Sequence, residues 1–541
     1  MIKRMFLFVF IAITLIFSGC IQKKDAPIED ERDNVIIGMQ SIPKGLDSEY
    51  TYNSREEDII CAIFDGLVEK NDNGEIKGAL AKEWSISEDG LSYTFILKED
   101  ITWSDGKQIE AKHFVELFRQ ILSPSEDSKN ISELYSIFGA EDYNKGKKPQ
   151  GEVAIISTDK KTLQIRLNYR NDKLLDTLSK PRYRLRKDFE VLKSWKENYK
   201  QIVYTGAYKI TDLKEKDGEN TIVLKKNNNY HDKDSILTEE IILDNVANSE
   251  MGMAKFDTNQ IDVFFSPPIS EIDRLKSTES IIYITLQDFN SIIFNFKSPF
   301  ASKIDFRKAI EEALLASLDE TKVSEKFNLN LAKGEIFNDS STKVVFSNEN
   351  KDINLRYDLF SANSKIKDLV TEQNNKTLNI LCVDNEKNKL LIESLKDIIE
   401  KEFNIKSTIY YYKDKDIENE LTKENYDMAL VEYTHIGTKE SFLRSWYNTH
   451  GKEVNYNSEL LDKGLIKIKG ENNNLIKENL IKGMELELKK DLPLIPIANN
   501  NLFICKNNNI EGIYMDGNEN IIIKNITKST DLNEELKEKE F

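Results

Sequence analysis

Residues 78–124 constrain the fold of this chain more than any other segment. Within them, residues 92–97 alternate apolar and polar side chains, which is typical of a half-buried antiparallel strand. Asp89-Gly90 supplies the chemistry of a tight turn before that strand, and Trp84 and Trp103 are large apolar anchors on either side. The segment predicts a hairpin and then an amphipathic helix, whose apolar residues are spaced by three and four: Ala111, Phe114, Val115, Phe118, Ile121 and Leu122.

The rest of the chain mixes strand patterns with helix patterns. Further strands are predicted at residues 35–39, 162–167, 221–224 and 240–243. A second amphipathic helix is predicted at about 388–403, between strand-like runs at 378–381 and 407–410, which makes one strand–helix–strand unit. Together these patterns predict a mixed α/β fold.

The N-terminus has the features of an export signal. Lys3 and Arg4 precede an apolar run at residues 5–17, and the chain becomes polar directly after Cys20. Because a membrane-spanning helix needs about 20 apolar residues, this run predicts a signal peptide at residues 1–19 that is removed.

The residues around Cys20 predict a lipid anchor. The sequence Phe17-Ser18-Gly19-Cys20 resembles a bacterial lipobox, in which the cysteine thiol is acylated and the chain is cleaved before it. We therefore predict lipid attachment at Cys20, followed by a charged, lipidated tether at residues 20–34. The alternative is an ordinary signal peptide with an incidental cysteine.

Charge and residue types exclude several classes of function. The formal net charge of −17 disfavours binding to nucleic acid and general adhesion to anionic lipid. No two of the four histidines stand at the spacing of a helical zinc motif, and no GxSxG motif occurs. We therefore predict a binding protein without catalytic residues, metal site or cofactor. Cys61, Cys382 and Cys505 lie in apolar runs and are predicted to be buried free thiols.

Several segments, in order along the chain, resemble one protein family. Residues 78–124 closely resemble the corresponding stretch of family 5 of the bacterial extracellular solute-binding proteins, the oligopeptide- and dipeptide-binding lipoproteins of ABC importers. Glu110 and His113 stand where the family has Thr and Asp, which alters the usual cap of the following helix. Further motifs similar to those of the family are TGAYKI at 205–210, NNNYH at 227–231, NQIDV at 259–263, FRKAI at 306–310 and LPLIPI at 492–497.

The resemblance implies an α/β, periplasmic-binding-protein-like fold of the class II, cluster C type. Such a fold has two lobes and three domains, with two crossover strands that act as a hinge beside a central cleft. The domains expected here are domain I at 35–56, 186–285 and 498–541, domain II at 57–185, and domain III at 286–497.

The implied function is that of a lipid-anchored, extracellular solute-binding subunit of an ABC transporter. It would capture oligopeptides in the cleft and deliver them to a permease and ATPase complex, as a monomer on the outer face of the cell membrane. One alternative is a binding protein of the same fold for a non-peptide solute, such as a metal chelate, sugar or signalling molecule. Another is an orphan surface lipoprotein that acts as a sensor or adhesin.

The resemblance also places candidate ligand-binding residues on the domain III wall. In peptide-binding members, an Asp on this wall pairs with the free amino terminus of the ligand. The register set by Phe442-Leu443 puts His435 at that Asp, with Thr438 at a second Asp and Glu432 and Tyr433 just before. Three interpretations stay open: Glu432 binds the ligand ammonium, the ligand has no free amino terminus, or the register differs by a few residues.

Overall fold

A computed structural model describes residues 32–47, 54–71, 74–124, 131–216, 219–327, 329–332, 344–345, 356–373, 376–433, 439–448, 454–471 and 473–529. The predicted signal peptide, Cys20, most of the predicted tether, His435 and Thr438 lie outside these ranges. Within the described ranges, no helix combines the length and the apolar character that crossing a membrane requires.

The described strands are β1 (Val35–Met39), β2 (Val68–Lys70), β3 (Ile76–Gly78), β4 (Ala81–Ile86), β5 (Ser92–Leu97), β6 (Ile155–Ser157), β7 (Thr162–Arg166), β8 (Tyr208–Lys216), β9 (Glu219–Lys226), β10 (Glu240–Asn245), β11 (Val263–Phe265), β12 (Ile281–Phe294), β13 (Asn330–Leu331), β14 (Val344–Val345), β15 (Leu378–Val383), β16 (Ser407–Tyr412), β17 (Met428–Tyr433), β18 (Leu494–Lys506), β19 (Ile510–Glu511) and β20 (Thr527–Lys528).

The described α-helices are α1 (Ser54–Ile63), α2 (Ala111–Ile121), α3 (Ala140–Asn144), α4 (Leu174–Leu178), α5 (Phe189–Lys193), α6 (Trp195–Asn198), α7 (Ser249–Asp257), α8 (Ile272–Ser277), α9 (Ile304–Thr321), α10 (Val323–Lys326), α11 (Leu359–Glu372), α12 (Glu386–Glu402), α13 (Asp414–Leu421), α14 (Lys439–Asn448), α15 (Glu459–Gly470) and α16 (Asn474–Asp491).

The hairpin and helix predicted within residues 78–124 are confirmed. β4 pairs antiparallel with β5, and the turn between them contains Gly90 at a φ of 71°. The carboxylate of Asp89 accepts a hydrogen bond of 2.9 Å from the backbone N–H of Leu91. In α2 the apolar residues at helical spacing are buried, and Trp103 is fully buried beside them.

The altered residues at the start of α2 still form a cap. The backbone N–H of Glu110 donates to Nδ1 of His113, at 3.0 Å. His113 therefore takes the part that Glu or Gln usually plays in a capping box. The carboxylate of Glu110 lies 2.8 Å from the ammonium of Lys112 and 3.2 Å from that of Lys160.

One large sheet runs through most of the molecule. Ten strands follow the order β16-β15-β17-β12-β18-β11-β1-β10-β9-β8, while β13 pairs with β18 and β14 pairs with β12. A separate four-stranded sheet has the order β4-β5-β7-β6, and β2-β3 and β19-β20 form two small ladders. The predicted strand–helix–strand unit is confirmed, since β15 and β16 are parallel and α12 connects them.

The long strands β12 and β18 join the two halves of the large sheet. One end of the β12–β18 pair contacts β11, and the other end contacts β17. The pairing is regular up to Thr285 and resumes at Phe289 with a shifted register. A second register shift follows between Asn290 and Ser291. Such irregularities bend a ladder locally, so the two halves meet where the pairing of these strands is interrupted.

Helices cover both faces of the half that contains β17. Successive residues of a strand point to opposite faces, and here Met428 and Leu430 pack into one apolar cluster while Ala429 and Val431 pack into another. The first cluster includes residues of α9, α11 and α12, and the second includes residues of α14, α15 and α16. This half is therefore a three-layer sandwich with the sheet in the middle.

A buried carboxylate connects distant parts of the chain in the other half. Asp262 is fully buried, and its Oδ2 accepts a hydrogen bond of 2.7 Å from the backbone N–H of Ile36. Its Oδ1 lies 3.3 Å from Arg32, 3.3 Å from Nδ2 of Asn507 and 3.5 Å from Lys528. The end of the predicted tether, where Arg32 lies, is thus bound to the folded body together with the C-terminal segment.

A second buried ionic cluster joins the part of the chain with the four-stranded sheet to the half of the large sheet that contains β1 and β11. Asp65 contacts Arg184 at 3.4 Å and Nε2 of His231 at 3.1 Å. Burial acts to raise the pKa of Asp65, but Lys524, His231 and Arg184 outweigh it and hold that pKa well below its ordinary value. The carboxylate therefore stays charged, and both segments are fixed to it.

Candidate functional site

The carboxyl ends of parallel strands in one half of the large sheet face those of the other half. β1 is parallel to β10 and β11, and β15 is parallel to β16 and β17. Phe265 at the end of β11 lies opposite Ile504 of β18, and Tyr433 at the end of β17 lies opposite Phe289 of β12. Because Phe289 is itself opposite Asn499, the two sets of strand ends face each other along residues 499–504.

The space between these strand ends is the candidate site. At a rise of ~3.4 Å per residue, the ends of β11 and β17 are separated by about 17 Å along β18. Ligands of open α/β sheets bind in the crevice outside the carboxyl ends of the strands. We call this space the cleft, and its floor is formed by residues 285–290 and 499–501 of the two crossover strands.

Polar groups follow the strands on the wall that the first half contributes. Nε2 of Gln40, just after β1, donates 2.8 Å to Oγ of Ser249 at the start of α7. Asn245 ends β10 and donates 3.2 Å to the carbonyl oxygen of Met39. Ser266 follows β11 with a φ of 57°. That left-handed backbone conformation is strained for a residue with a Cβ atom and is often found at binding sites.

The opposite wall carries a compact charged cluster. Glu432, near the end of β17, accepts at Oε1 a hydrogen bond of 2.9 Å from the ammonium of Lys387, in the first turn of α12. The same ammonium donates 3.1 Å to Oδ1 of Asn290 and 2.7 Å to Oδ1 of Asn500. We call these four residues the Lys387 cluster. It links this wall directly to both crossover strands.

Tyr433 lies in the core behind that wall. It is buried, and its ring centroid is 5.2 Å from that of Phe289 and 5.6 Å from that of Phe442. Its hydroxyl accepts a hydrogen bond of 2.9 Å from the indole of Trp446. The structure therefore brings Glu432 and Tyr433 to one strand end, with Glu432 at the polar cluster and Tyr433 in the aromatic cluster. The roles predicted for both residues, and for His435 and Thr438, stay predictions.

Sequence reasoning did not identify Lys387, Asn290 or Asn500 as site residues. One signal was present, because three consecutive asparagines at 499–501 interrupt the apolar run of β18. An interruption of this kind in a central strand indicates a polar environment at that point. Lys387 carried no such signal, since a lysine in the first turn of a helix is usually solvated.

A cavity of about 460 Å³ lies elsewhere, between α9, α11 and the start of β18. Its lining includes Glu311, Glu312, Asp358, Leu494 and Pro496. Leu494 begins β18 and pairs with Ile293 near the end of β12. The cavity therefore lies at the end of these strands that is away from the cleft. We therefore place the candidate site at the cleft and not in this cavity.

The three described cysteines lie in the core. Cys61, Cys382 and Cys505 are free and buried, as predicted. Burial raises the pKa of the Cys382 thiol to about 12. Among the described residues, no three His, Cys, Asp or Glu side chains are grouped in a way that could hold a metal ion.

Comparison with known sequences gives one family. The sequence model described as "Bacterial extracellular solute-binding proteins, family 5 Middle" matches residues 75–453. The oligopeptide-binding protein OppA of Bacillus subtilis is 27% identical over 285 residues, which cover 51% of this chain and 52% of that protein. The dipeptide-binding protein DppE of the same organism is 24% identical over 319 residues, covering 56% and 57%. The chain thus spans about half the length of the curated relatives it matches.

Solved structures give the same fold over nearly the whole chain. An oligopeptide-binding protein of Borrelia burgdorferi matches with a TM-score of 0.71 at 21% identity, covering 92% of this chain and 100% of that one. The murein tripeptide binding protein MppA of Escherichia coli gives 0.71 at 17%, covering 92% and 99%. OppA of Haemophilus influenzae, in complex with RPPGFSPFR, gives 0.69 at 18%, covering 93% and 100%. These matches confirm the predicted α/β, periplasmic-binding-protein-like, two-lobe fold.

Proposed function

This chain belongs to family 5 of the bacterial extracellular solute-binding proteins, and on that premise we propose that it captures oligopeptides in the cleft as the solute-binding subunit of an ABC importer. A permease and ATPase complex would receive the peptide. We propose no catalytic step, in keeping with relatives that are named as binding proteins.

The observation that carries this proposal is the opposed arrangement of strand ends across β12 and β18. Stacked β-layers lie ~10 Å apart. The gap of about 17 Å between the opposed strand ends therefore accommodates one extended peptide with side chains on both sides. Backbone groups at strand ends can pair with the main chain of such a ligand. A peptide that contacts both walls stabilises the closed state by contacts that an open state cannot make.

The register break between Thr285 and Phe289 supports a hinge at the crossover strands. The boundaries proposed between domains I and III, at 285/286 and 497/498, fall inside β12 and β18 beside this break. Domain II is proposed to comprise residues 57–185, which include the four-stranded sheet. Bending at two adjacent strands would move one lobe as a unit and open the cleft.

Native mass spectrometry tests the peptide assignment. The protein purified from its own cells, and then incubated with a random pentapeptide pool, is expected to carry peptide masses that dissociate on activation. A non-peptide mass that the peptide pool does not displace would instead identify a same-fold binder of another solute. Binding of nothing from the cells or the pool would contradict the importer proposal and favour a sensor or adhesin.

We further propose that Cys20 anchors the protein to the outer face of the membrane by lipid. The support is the sequence Phe17-Ser18-Gly19-Cys20 after an apolar run. Metabolic labelling with a fatty-acid analogue is expected to tag the wild type and Cys61→Ala, because Cys61 is a buried core thiol. Cys20→Ala is expected to lose the label and to leave the membrane fraction or stay uncleaved. Equal labelling of Cys20→Ala would contradict the anchor.

A further inference from the structure

The Lys387 ammonium is fully coordinated by protein groups at the cleft wall. An ammonium has three N–H donors. Here the three acceptors are Oε1 of Glu432 at 2.9 Å, Oδ1 of Asn290 at 3.1 Å and Oδ1 of Asn500 at 2.7 Å. The side chains of Lys387 and Glu432 are 14% and 20% exposed. This pair is therefore mostly withdrawn from solvent, where charge pairing is stronger than at an open surface.

The acceptors are themselves held in place. Nδ2 of Asn290 donates 2.8 Å to Oδ1 of Asn500, which aligns the two carboxamides across β12 and β18. Nδ2 of Asn385, the N-cap of α12, donates 3.2 Å to Oε1 of Glu432. The site that receives the Lys387 ammonium is thus built by two strands, a third strand end and a helix cap.

A second acidic side chain at these strand ends also pairs with a lysine, in a more exposed position. Asp384 follows β15 directly, and its Oδ1 lies 2.5 Å from the ammonium of Lys389. Both lysines come from the first turn of α12, next to the strand ends. At the carboxyl ends of β15 and β17, each described carboxylate therefore has a cation supplied by the protein itself.

We infer that Lys387 fills the ammonium-binding position at Glu432, so that the part of the ligand that reaches this wall carries no free ammonium group. A ligand ammonium at this carboxylate would have to displace Lys387 from three acceptors or lie beside a like charge. A neutral group, such as an acylated amino terminus or an internal peptide unit, meets neither obstacle. The inference rests on the proposed function, because it specifies which peptides that cleft takes.

Competition between free and acetylated peptides tests this inference. The probe is a random pentapeptide pool without lysine or arginine, mixed with the same pool acetylated at the amino terminus. Native mass spectrometry measures the ratio of free to acetylated peptide bound. The wild type is expected to bind both with a ratio of about one or lower. In Lys387→Met the carboxylate of Glu432 loses its counter-cation, and the ratio is expected to rise about tenfold or more.

Three variants make the result specific. Lys396→Met removes a lysine from the middle of the same helix, where it pairs with Glu400, and is expected to keep the wild-type ratio. Lys387→Met combined with Glu432→Gln is expected to return to that ratio. Glu432→Gln alone preserves the shape of the acceptor and leaves the Lys387 charge in place, so its ratio is expected to equal or fall below that of the wild type. This expectation does not depend on the stability of Lys387→Met.

Each contrary outcome is distinct. A wild type that enriches free peptides, and loses this preference in Glu432→Gln, would show that Glu432 binds the ligand ammonium despite Lys387. An unchanged ratio in folded Lys387→Met would show that this carboxylate does not select ligands. If no protein binds either pool, the peptide proposal itself fails, and this inference fails with it.

Discussion

The ammonium of Lys477 in α16 lies 3.9 Å from Oδ2 of Asp172, in the loop after the four-stranded sheet. This contact connects the lobe that contains α16 with the lobe that contains the four-stranded sheet, at a point outside the crossover strands. Nearby, burial raises the pKa of Tyr169, Glu141 adds to that rise, and Arg444 of α14 opposes it. Lys477 and Arg444 belong to the lobe that contains α14 and α16, and both thus act on the same loop of the other lobe.

Reversing the charge of Lys477 is expected to favour an open cleft. An exposed ion pair contributes about 1 kcal/mol at most, which changes an open–closed ratio about fivefold. Lys477→Glu should therefore lower energy transfer between dyes at Glu88→Cys and Leu486→Cys in the ligand-free protein. Lys482→Glu makes the same charge change on an exposed part of α16 and should leave the transfer unchanged. Equal effects of the two variants would contradict a specific contact.

The cap at His113 is expected to make stability depend on pH. Burial lowers the pKa of His113; Lys112 and Lys187 act in the same direction, and Glu116 and Glu110 oppose it. Nδ1 must be unprotonated to accept from Glu110. Because the folded pKa lies below the unfolded value of about 6.5, this contribution is complete above that value and is lost as pH falls through the folded pKa.

His113→Gln separates this effect from other titrations. Gln at this capping position keeps an acceptor for the backbone N–H but does not titrate. When the pH is lowered from about 7.5 to about 5, the melting temperature should fall less for His113→Gln than for the wild type. The same loss in both proteins would mean that His113 does not contribute.

Removing the buried carboxylate of Asp262 is expected to destabilise strongly the lobe that contains β1 and β11. Asp262→Ala leaves the ammonium of Lys528 and the N–H of Ile36 without this partner in the core, a change that typically costs about 3–5 kcal/mol. Asp257→Ala removes an exposed carboxylate that pairs with Arg274 and should cost about 1 kcal/mol or less. Urea unfolding measures both, and a small effect of Asp262→Ala would contradict its connecting role.

Replacing two glycines by alanine is expected to change the free energy of unfolding in opposite directions. A Cβ atom on Gly206 would lie 2.5 Å from the carbonyl carbon of Ile63 and 2.6 Å from the backbone nitrogen of Phe64. Gly206→Ala should therefore cost about 1–3 kcal/mol or more, because the backbone must shift. Gly483 lies inside α16 with nothing near its Cβ position, so Gly483→Ala should gain about 0.5–1 kcal/mol. Thermal unfolding of both variants checks the signs.

Local patterns in the sequence predicted local structure well. The alternation in β5 and the spacing in α2 are set by which face is buried, and that information lies within a few residues. The crossover role of β12 and β18 could not be read in this way. Each is a long, mostly apolar strand, and its two ends pair with strands from different lobes, so its role follows only from long-range pairing.

The candidate site was harder to predict for the same reason. Glu432 was singled out through the resemblance, but its partner Lys387 is 45 positions away in the chain. Asn290 and Asn500 meet because β12 and β18 pair side by side near the register break. Charge neutralisation at the wall is thus a property of the assembled sheet and of the start of α12.

Ligand-dependent closure tests the central claim most directly. If peptide binds between the opposed strand ends, the two lobes should approach each other around the break in β12 and β18. Small-angle scattering should then show a smaller radius of gyration at saturating concentrations of the peptides identified by mass spectrometry. An unchanged radius of gyration with peptide fully bound would contradict closure of the two lobes around this break.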